Sequence, residues 1–395
     1  MEILVLGYGN IGSVLAKDLA ENMPSTEVVI AGRHRNMAEE TAAAINRKNV
    51  TGIGLDADKY HLLVDAMKKF DLVIGALPGD VGYRSVKAAI EAKVDMVDVS
   101  YMPENPLMLD EDALKAGVAV VPDCGVAPGL SNLLVGHAVS KLDEVESIRM
   151  MVGGLPEEPV PPLGYVVTWS VANLLDEYSR KAKIVKNGEV VVVEALTGLE
   201  EIEFPGVGKL EAFYTDGLRT LLHTVKGIRN MWEKTLRYPG HAEKIKMLEA
   251  LGFFDEDPID VRSTRLPPRE VTIELLKKKL QRPEIKDILA MKINVSGIAE
   301  GSRRRYSYHL LDRYDTENRI TAMARTTAYP ASIIGQLIAS KAIEEKGVIP
   351  LEKLGAKERL FNKILLELEK RQVKIVESRG DTNLCDRQHE WCQSN

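Results

Sequence analysis

The sequence predicts an α/β protein in which a doubly wound parallel sheet is followed by a second domain of α+β structure. The first observation is a glycine-rich turn between an apolar strand and a helix at the start of the chain. The second is the alternation of short apolar strands with helices up to residue 124. The third is a change from about residue 144, where strands follow one another with only occasional helices.

The opening stretch EILVLGYGNIGSVLAKDLAEN has the spacing G-x-G-x-x-G at Gly7, Gly9 and Gly12. In this context the first glycine permits a tight turn, the second lets the backbone approach a pyrophosphate, and the third lets helix and strand pack closely. The helix begins near Asn10 and Ile11, so its unpaired N–H groups and positive dipole face the same point. We therefore expect a dinucleotide to bind on these five residues.

Strands and helices alternate through the rest of the first domain, which we place at residues 1–124. The predicted strands are EVVIAG, VTGIGLDA, DLVIGALPG, VDMVDVS and VAVVPDCG, and the predicted helices cover residues 36–46, 59–69 and 82–93. Continuously apolar strands are buried on both faces, as in a Rossmann sheet with helices on either side.

The preferred dinucleotide depends on the end of the second strand. NAD-binding domains usually place Asp or Glu there, about 20 residues beyond the glycines, to bind the ribose hydroxyls. Here the segment reads AGRHR and holds no acid. Taken alone, Arg33 and Arg35 favour a 2′-phosphate and hence NADP; alternatively, Arg33 stacks on adenine and serves either cofactor. Asp56 either binds the adenine amino group or caps the next helix.

Functional side chains of an open α/β sheet gather at the carboxyl ends of its strands. Leu77 and Pro78 follow the fourth strand and should pass the nicotinamide side of the crevice. Asp98 and Tyr101 follow the fifth strand; both could hold a substrate amine, or Asp98 could simply cap the loop. Cys124 follows the sixth strand and is interpreted as a packed thiol rather than a nucleophile, because no His-rich motif accompanies it.

The second domain is predicted over residues 125–328. Its predicted strands include ESIRMMVGGLP, YVVTWSV, GKLEAFYTDG, EKTLRYPG, DILAMKINVSGIA and RRRYSYHLLDRYDTENRITAMA. AKIVKNGEVVVVEAL is predicted to be a hairpin that turns at Asn187-Gly188. Helices are expected near residues 217–229, 240–251 and 268–280.

The end of the chain divides into two predicted parts. Residues 329–375 should be C-terminal helices that return to the first domain, beginning with an amphipathic helix over 329–350. Pro330 would stand at the start of that helix and Gly347 would stop it. The polar, aperiodic segment 376–395 is predicted to be a disordered tail.

The richest supply of polar side chains in the second domain lies between residues 213 and 241 and ends with TLRYPGH. A crevice between a dinucleotide domain and a second domain is where a dehydrogenase aligns hydride donor and acceptor. His223 could take a proton from a substrate ammonium, or it could bridge core elements. Arg237 could clamp a carboxylate or form an interdomain salt bridge. Thr235 and His241 complete the cluster around the Pro-Gly turn.

Composition excludes several classes of function. The formal charge of −6 gives no electrostatic basis for binding nucleic acid or an anionic membrane. No apolar stretch approaches the ~20 residues that span a bilayer, and the apolar strand at the start of the chain leaves no room for a signal peptide. The three cysteines have no metal-ligand spacing. We expect a cytoplasmic protein without a metal.

The motifs together resemble the saccharopine dehydrogenase superfamily. The resemblance rests on the opening glycine turn, VDVSYM, PDCGVAPG and TLRYPGH, and covers the chain to about residue 370. MMVGGLPEEPVPPLGYVVTWS and LLHTVKGIRNMWEKTLRYPGH are most similar to the lysine 6-dehydrogenase branch. The resemblance implies a homodimer or a higher homo-oligomer acting on a small amino-acid substrate.

The activity that the resemblance implies is NAD-dependent oxidative deamination of the ε-amino group of L-lysine. The product would be 2-aminoadipate 6-semialdehyde, which cyclises to piperideine-6-carboxylate, with release of ammonia. The cofactor would be lined by the glycine turn with Arg33, Asp56, Leu77, Pro78, Cys124 and Gly125. His223 and Thr235 would contact lysine, and Arg237 would clamp its carboxylate. The missing acid after the second strand leaves NADP open as the cofactor.

The expected chemistry requires a base, because only a neutral amine can release hydride from its carbon; His223 is the candidate. One alternative is a related reductase of the saccharopine reductase or carboxynorspermidine dehydrogenase type, whose several substrate carboxylates would need more arginines. A second alternative is a non-catalytic dinucleotide sensor, against which the large second domain argues.

Overall fold

The computed structural model describes residues 1–281 and 285–381. Its first 121 residues alternate between strands and helices, with a short 3-10 helix at Pro106–Leu109. The elements are β1 (Glu2–Leu6), α1 (Asn10–Asn22), β2 (Glu27–Gly32), α2 (Arg35–Ile45), β3 (Val50–Gly54), α3 (Tyr60–Met67), β4 (Leu72–Gly75), α4 (Gly79–Ala92), β5 (Asp95–Asp98), α5 (Asp110–Ala116) and β6 (Ala119–Val121).

The remaining elements begin with a helix that leads from the first domain into a large second sheet. They are α6 (Leu130–Val139), β7 (Glu144–Pro156), α7 (Val171–Ser179), β8 (Ala182–Lys186), β9 (Glu189–Val193), β10 (Glu200–Phe204), β11 (Gly208–Tyr214), α8 (Leu221–Thr224), β12 (Asn230–Arg237), α9 (His241–Ala250), β13 (Ile259–Val261), β14 (Thr264–Leu266), α10 (Pro268–Leu280), β15 (Asp287–Ala299), β16 (Ser302–Arg313), α11 (Ala322–Ala339), β17 (Gly347–Val348), α12 (Leu351–Gly355), α13 (Glu358–Lys370) and β18 (Ile375–Asp381).

The first sheet is parallel throughout, in the order β17-β6-β5-β4-β1-β2-β3. Strand order reverses between β1 and β4, and a crevice for ligands opens at the carboxyl ends of strands at such a reversal. The central strand β1 is fully buried at Ile3, Leu4 and Val5, as its continuous apolar sequence requires. The predicted α/β class with a doubly wound parallel sheet is confirmed.

The second sheet is mixed, in the order β10-β11-β12-β7-β15-β16-β18, with β8 and β9 attached beside β12. Among the strands within residues 1–281 and 285–381, only β12 and β7 of this sheet run parallel to each other; the other pairs are antiparallel. One apolar cluster runs without interruption from α1 through α11 to β15. The two lobes therefore share a core, and α11 lies at its centre.

Several local predictions are met. The Asn187-Gly188 turn joins β8 to β9, with both residues at positive φ (53° and 89°), as a type I′ turn needs. The helices expected near 240–251 and 268–280 are α9 and α10. The helix expected over 217–229 shrinks to the four residues of α8, because Arg219 and Gly227 adopt positive φ on either side of it.

The prediction of a strand at YVVTWSV is wrong, and it left helix α7 unpredicted. YVVTWSV was expected to be a strand, but it leads into helix α7, where Ser170 accepts a hydrogen bond from the N–H of Asn173 (3.3 Å). A serine cap ahead of VANLLDEYS is a helix-start signal that the β-branched residues before it obscure.

The last two predictions for the chain also need correction. The helix expected at 329–350 instead begins at Ala322 behind the Thr321 cap and ends at Ala339, so Pro330 lies inside it. Residues 376–381, expected in a disordered tail, belong to β18, which pairs with β16 and covers its open edge. Residues 382–395 lie outside the described residues. Over the described ranges, no helix has the length and apolarity needed to cross a bilayer.

Candidate active site

A cleft of about 1160 Å³ separates the carboxyl ends of the first sheet from α7 and the end of β12. One wall holds the glycine turn and the loops after β3, β4 and β5. The opposite wall holds Glu177 from α7 and Glu233, Thr235 and Arg237 from β12. A dinucleotide domain therefore faces a polar wall of the second lobe across a single cavity.

The glycine turn has the geometry that a pyrophosphate needs. Gly7 adopts a φ of +110°, and a Cβ there would lie 2.4 Å from the carbonyl oxygen of Ala76. A Cβ on Gly12 would lie 2.0 Å from the oxygen of Gly7, whereas a Cβ on Gly9 would meet no atom within 4 Å. The first and third glycines thus serve packing, and the second borders open space in front of α1. Asn10 and Ile11 line the same space.

Arg33 and Asp56, predicted to lie beside the adenosine, both line the cleft. Arg33 is held by acids: its guanidinium lies 2.5 Å from Asp58 and 3.6 Å from Asp56. Asp56 also accepts a hydrogen bond from the N–H of Asp58 (3.2 Å), so it caps the local turn. Arg35 is paired with Glu39 at 2.7 Å. The two arginines that favour NADP are therefore both charge-paired.

Leu77, Pro78 and Gly125, predicted to lie beside the cofactor, also line the cleft. Cys124, expected beside the cofactor, is fully buried behind this surface. Its N–H donates to the backbone oxygen of Asp98 (2.8 Å), and burial raises the pKa of its thiol well above the usual range. Cys124 is thus a packed thiol that does not line the cleft.

Asp98, expected to contact the substrate, is also fully buried. Its carboxylate accepts hydrogen bonds from the N–H of Ser100 (3.0 Å) and from the Ser100 hydroxyl. Burial raises the pKa of Asp98 to about 8, and these hydrogen bonds oppose the rise. The side chain shapes the loop that carries Ser100 and Tyr101 into the cleft and does not itself reach it.

Tyr101 lines the cleft and joins the two lobes. Its hydroxyl donates to the backbone oxygen of Asp216 (2.8 Å), and the guanidinium of Arg180 lies 4.4 Å from its ring centroid. Nearby, Arg219 forms a buried pair with Asp123, with two N–O distances of 3.2 Å. These contacts fix the second lobe against the loops of the first sheet.

Arg237 stands at the end of β12 with 3% exposure. One terminal nitrogen donates to Glu177 (3.0 Å), Nε donates to the Tyr178 hydroxyl (3.2 Å), and the other terminal nitrogen donates to the Leu236 backbone oxygen (2.9 Å). A guanidinium has five N–H donors, so two remain for a ligand. The ring of Tyr165 lies 4.5 Å from the guanidinium carbon and fixes its plane.

His241 supports Arg237 from behind and does not line the cleft. Its Nδ1 lies 2.9 Å from the backbone oxygen of Leu163, which can only accept, so Nδ1 carries the proton. Nε2 then accepts from the Tyr178 hydroxyl at 2.8 Å, which leaves the Tyr178 oxygen to accept from Arg237. Burial, reinforced by the charge of Arg237, lowers the pKa of His241 to about 3, so the ring is neutral.

Thr235 belongs to a chain of hydroxyls that ends on a carboxylate. It donates to Glu177 at 2.6 Å, and because its proton is used there, the Thr215 hydroxyl at 2.9 Å donates to it. Glu177 thus receives one hydrogen bond from Thr235 and one from Arg237. This carboxylate was missed because helix α7, which carries it, was not predicted.

Glu233 was missed as well, although β12 alternates Glu233, Thr235 and Arg237 along one face. That period of two was the available signal. The side chain is 4% exposed, and its Oε2 has no hydrogen-bond partner among residues 1–281 and 285–381. Burial, with the nearby charges of Glu177 and Asp216, raises the pKa of Glu233 to about 8.

His223, the expected base, is not brought into the cleft. It lies on the surface in α8, with Nε2 3.3 Å from the amide nitrogen of Asn105. It borders a separate groove of about 470 Å³ together with Thr224 and Glu352. His223 does not line the cleft that holds Thr235 and Arg237, so the structure does not bring the predicted base and lysine contact to this site.

Comparison with known proteins agrees with this architecture. Residues 3–121 match the family model described as the saccharopine dehydrogenase NADP binding domain, and residues 125–373 match the saccharopine dehydrogenase C-terminal domain. The apo saccharopine dehydrogenase (L-Glu forming) from Saccharomyces cerevisiae superposes with a TM-score of 0.78 and 20% identity, covering 96% of this chain and 99% of that one.

Curated relatives cover this chain to different extents. The alpha-aminoadipic semialdehyde synthase of Arabidopsis thaliana is 27% identical over 62% of this chain, which spans 24% of that protein. The NADP(+), L-glutamate-forming saccharopine dehydrogenase of Saccharomyces cerevisiae is 29% identical over 73% of this chain and 66% of its own length. The carboxyaminopropylagmatine dehydrogenase of Synechocystis is 21% identical over 89% and 92%.

The two family models together cover nearly all of the described chain, and each falls on one lobe of the cleft. The glycine turn lies in the part matched by the dinucleotide-binding model, and Arg237 lies in the part matched by the other. The chain belongs to the saccharopine dehydrogenase family.

Proposed function

We propose that the protein is a nicotinamide-dinucleotide-dependent oxidoreductase that oxidatively deaminates the ε-amino group of L-lysine. The observation that carries the proposal is the Arg237–Glu177 pair on the wall opposite the glycine turn, with Thr235 beside it. The family supports a nicotinamide dinucleotide as cofactor, and Gly9 leaves the space in which its pyrophosphate fits.

The pair suits the zwitterionic end of an amino acid. The two free N–H donors of Arg237 match the two oxygens of an α-carboxylate, and such charge-assisted contacts are among the strongest hydrogen bonds. The carboxylate of Glu177 stands next to the guanidinium and can accept from an α-ammonium. With this end held near α7, the rest of the substrate extends along β12 past Thr235.

The reacting end must then lose a proton before it can lose hydride. Bound nicotinamide would supply the hydride acceptor. The chain's own part is to hold the amine in a site shielded from water and to accept its proton, since the nitrogen lone pair has to form the C=N bond. Water addition to the resulting iminium releases ammonia and leaves an aldehyde.

The test is to mix the purified protein with L-lysine and either NAD or NADP and to follow the absorbance of the reduced nicotinamide together with ammonia release. We expect both signals to rise in equal amounts with at least one dinucleotide. Reduction with saccharopine or a carboxylated polyamine, and none with lysine, would contradict the lysine assignment.

A second candidate is oxidation of a carboxylated amine, as the name of the Synechocystis relative suggests. The acids Glu177 and Glu233 on the cleft wall favour a polycationic substrate as well as lysine. A substrate with several carboxylates is less well served, because Arg219 is already committed to Asp123. Comparing kcat/KM for lysine, saccharopine and carboxyaminopropylagmatine separates these candidates.

A further inference from the structure

Within residues 1–281 and 285–381, the carboxyl group of Glu233 holds the one buried side-chain oxygen or nitrogen of the cleft lining that has no hydrogen-bond partner. Three neighbours in the wall are engaged elsewhere: Thr235 and Arg237 with Glu177, and Tyr101 with the backbone oxygen of Asp216. Oε2 of Glu233 is buried without a partner among the described residues. Burying such an oxygen unpaired costs about 1–3 kcal/mol of folding free energy. The unpaired Oε2 therefore points to a ligand that supplies the missing hydrogen bond.

The Glu233 carboxyl group occupies the space that a side chain at position 217 would fill. A Cβ on Gly217 would lie 1.6 Å from Oε2 and 1.9 Å from Cδ, so only glycine at 217 lets Glu233 take this position. Gly217 and Glu233 both line the cleft. The carboxyl group of Glu233 therefore packs directly against Gly217 at the edge of the cleft.

The electrostatic surroundings favour a cation at this point. The charges that act on Glu233 come from Glu177 on α7 and from Asp216 in the loop after β11, and both are acidic. Thr215 and Tyr101, on the flanking loops, are neutral. Lys234, the next residue on β12, points to the other face, where it binds Glu200 and the backbone oxygen of Gly198 (2.6 Å). A positive ligand would therefore be attracted here, and an anionic one repelled.

The position along β12 matches a substrate with two separate polar ends. Glu233 and Arg237 are four residues apart on one face, so their Cα atoms are about 13 Å apart. An amino-acid end at Arg237 would leave a chain of several methylenes beside Thr235 and a second nitrogen near Glu233. This step rests on the proposed function, which places the α-carboxylate at Arg237.

We propose that Glu233 anchors the distal ammonium of the substrate and accepts its proton. The carboxylate takes H⁺ from R–CH2–NH3⁺ and gives R–CH2–NH2 and a neutral carboxylic acid. Loss of hydride from the CH2 carbon to the oxidised dinucleotide then leaves R–CH=NH2⁺. Water adds to that carbon, the C–N bond breaks, and ammonia leaves with the aldehyde as product. The proton on Glu233 returns to solvent.

The first measurement needs no turnover. L-lysine is titrated into the full-length protein in the presence of reduced dinucleotide, by calorimetry in buffers of different ionisation enthalpy. Because Glu233 is largely protonated before lysine binds and an ammonium favours its ionised form, we expect most of one proton to be released near pH 7. Glu233→Gln should abolish this release. Glu243→Gln, on the exposed face of α9, is the matched control and should retain it.

The second measurement is the pH profile of lysine oxidation. Glu233→Gln should lower kcat/KM by about 100-fold or more, the usual contribution of a general base, and remove the acidic limb of the profile, where protonation of Glu233 stops it from accepting the proton. Glu233→Asp should restore part of the rate, and thermal unfolding should show that each variant is folded.

The outcomes separate the two proposals. If lysine is oxidised but Glu233→Gln keeps the wild-type proton release and pH profile, the role of Glu233 is wrong and the function stands. If lysine binds with proton release that the variant lacks, yet is never oxidised, the role of Glu233 stands and the function is wrong. If lysine neither binds nor reacts, both are wrong.

Discussion

The guanidinium of Arg237 and the carboxylate of Glu177 meet at 3.0 Å, one on β12 and the other on α7. Both side chains are largely buried, with 3% and 13% exposure. Arg237 is further fixed by Tyr178 and by the ring of Tyr165. The pair is therefore a rigid feature of the cleft wall, oriented before any substrate enters.

Arg237→Lys should impair substrate binding more than chemistry. Lysine keeps the charge but lacks the planar fork that contacts a carboxylate with two N–H groups. We expect KM for L-lysine to rise about 10- to 100-fold, with a smaller change in kcat. Steady-state kinetics measure both. Arg262→Lys, on the exposed β13–β14 hairpin, is the control and should behave like wild type; an unchanged KM in Arg237→Lys would place the carboxylate elsewhere.

The neutral state of His241 predicts acid sensitivity of the fold. Its pKa is about 3 in the folded chain and about 6.5 when unfolded, so its contribution to stability is present above pH 6.5 and is lost as pH falls toward 3. Between pH 7.5 and pH 5 the free energy of unfolding should fall by about 2 kcal/mol from this group alone.

Chemical denaturation at the two pH values measures this effect. His241→Gln, whose side chain can still accept from Tyr178 but does not titrate, should lose about 2 kcal/mol less than wild type over the same interval. His61→Gln, on the exposed face of α3, should retain the wild-type dependence. Identical pH dependence in wild type and His241→Gln would show that the imidazole is not held neutral.

What could be predicted from sequence is what local physics decides. The glycine turn was located correctly because a positive φ at Gly7 and the close approach of Gly12 to Gly7 are requirements of the turn itself. The strand boundaries of the first sheet followed from continuous apolar runs, and the Asn187-Gly188 hairpin from turn chemistry. None of these depends on how the two lobes meet.

The cleft wall formed by α7 and β12 depends on how the two lobes pack together, and it was predicted only in part. Thr235 and Arg237 were identified, but Glu177 was missed because the β-branched run before α7 outweighed the Ser170 cap. His223 was predicted from its residue type, but in the structure it is exposed on α8 and does not line the cleft. The reactivity of a side chain can be read from sequence, but its direction is set by tertiary packing.

The glycine turn allows stability and cofactor binding to be separated. Gly9→Ala adds a Cβ that meets no protein atom within 4 Å, so the melting temperature should be unchanged. The same methyl group would stand where a pyrophosphate approaches the backbone, so we expect the affinity for reduced dinucleotide to fall about 10-fold or more. Fluorescence titration measures the affinity, and thermal unfolding measures the stability.

Gly12→Ala should behave differently, because its Cβ would lie 2.0 Å from the oxygen of Gly7. Helix and strand must separate to admit it, so stability and affinity should both fall, the former by about 1–3 kcal/mol. Gly380→Ala in β18 meets no atom within 4 Å and is the control. Equal effects of Gly9→Ala and Gly380→Ala on dinucleotide affinity would contradict the placement of the pyrophosphate.

Cofactor preference should depend on Asp58, the acid that holds two arginines. Asp58 lies 2.5 Å from Arg33 and 3.9 Å from Arg84. Removing its charge leaves Arg33 with only the longer contact to Asp56 (3.6 Å), so the Arg33 guanidinium becomes freer to bind a 2′-phosphate. We expect Asp58→Asn to raise the ratio of kcat/KM for NADP to that for NAD about 10-fold, or roughly 1.4 kcal/mol. Stability should change little, because these pairs are exposed.

Asp65→Asn, which breaks an exposed pair with Lys68 (2.8 Å), is the control and should leave the ratio unchanged. The same ratio in both variants would mean that Arg33 lies too far from the ribose to select between the two dinucleotides, and that the arginines after β2 do not decide the cofactor.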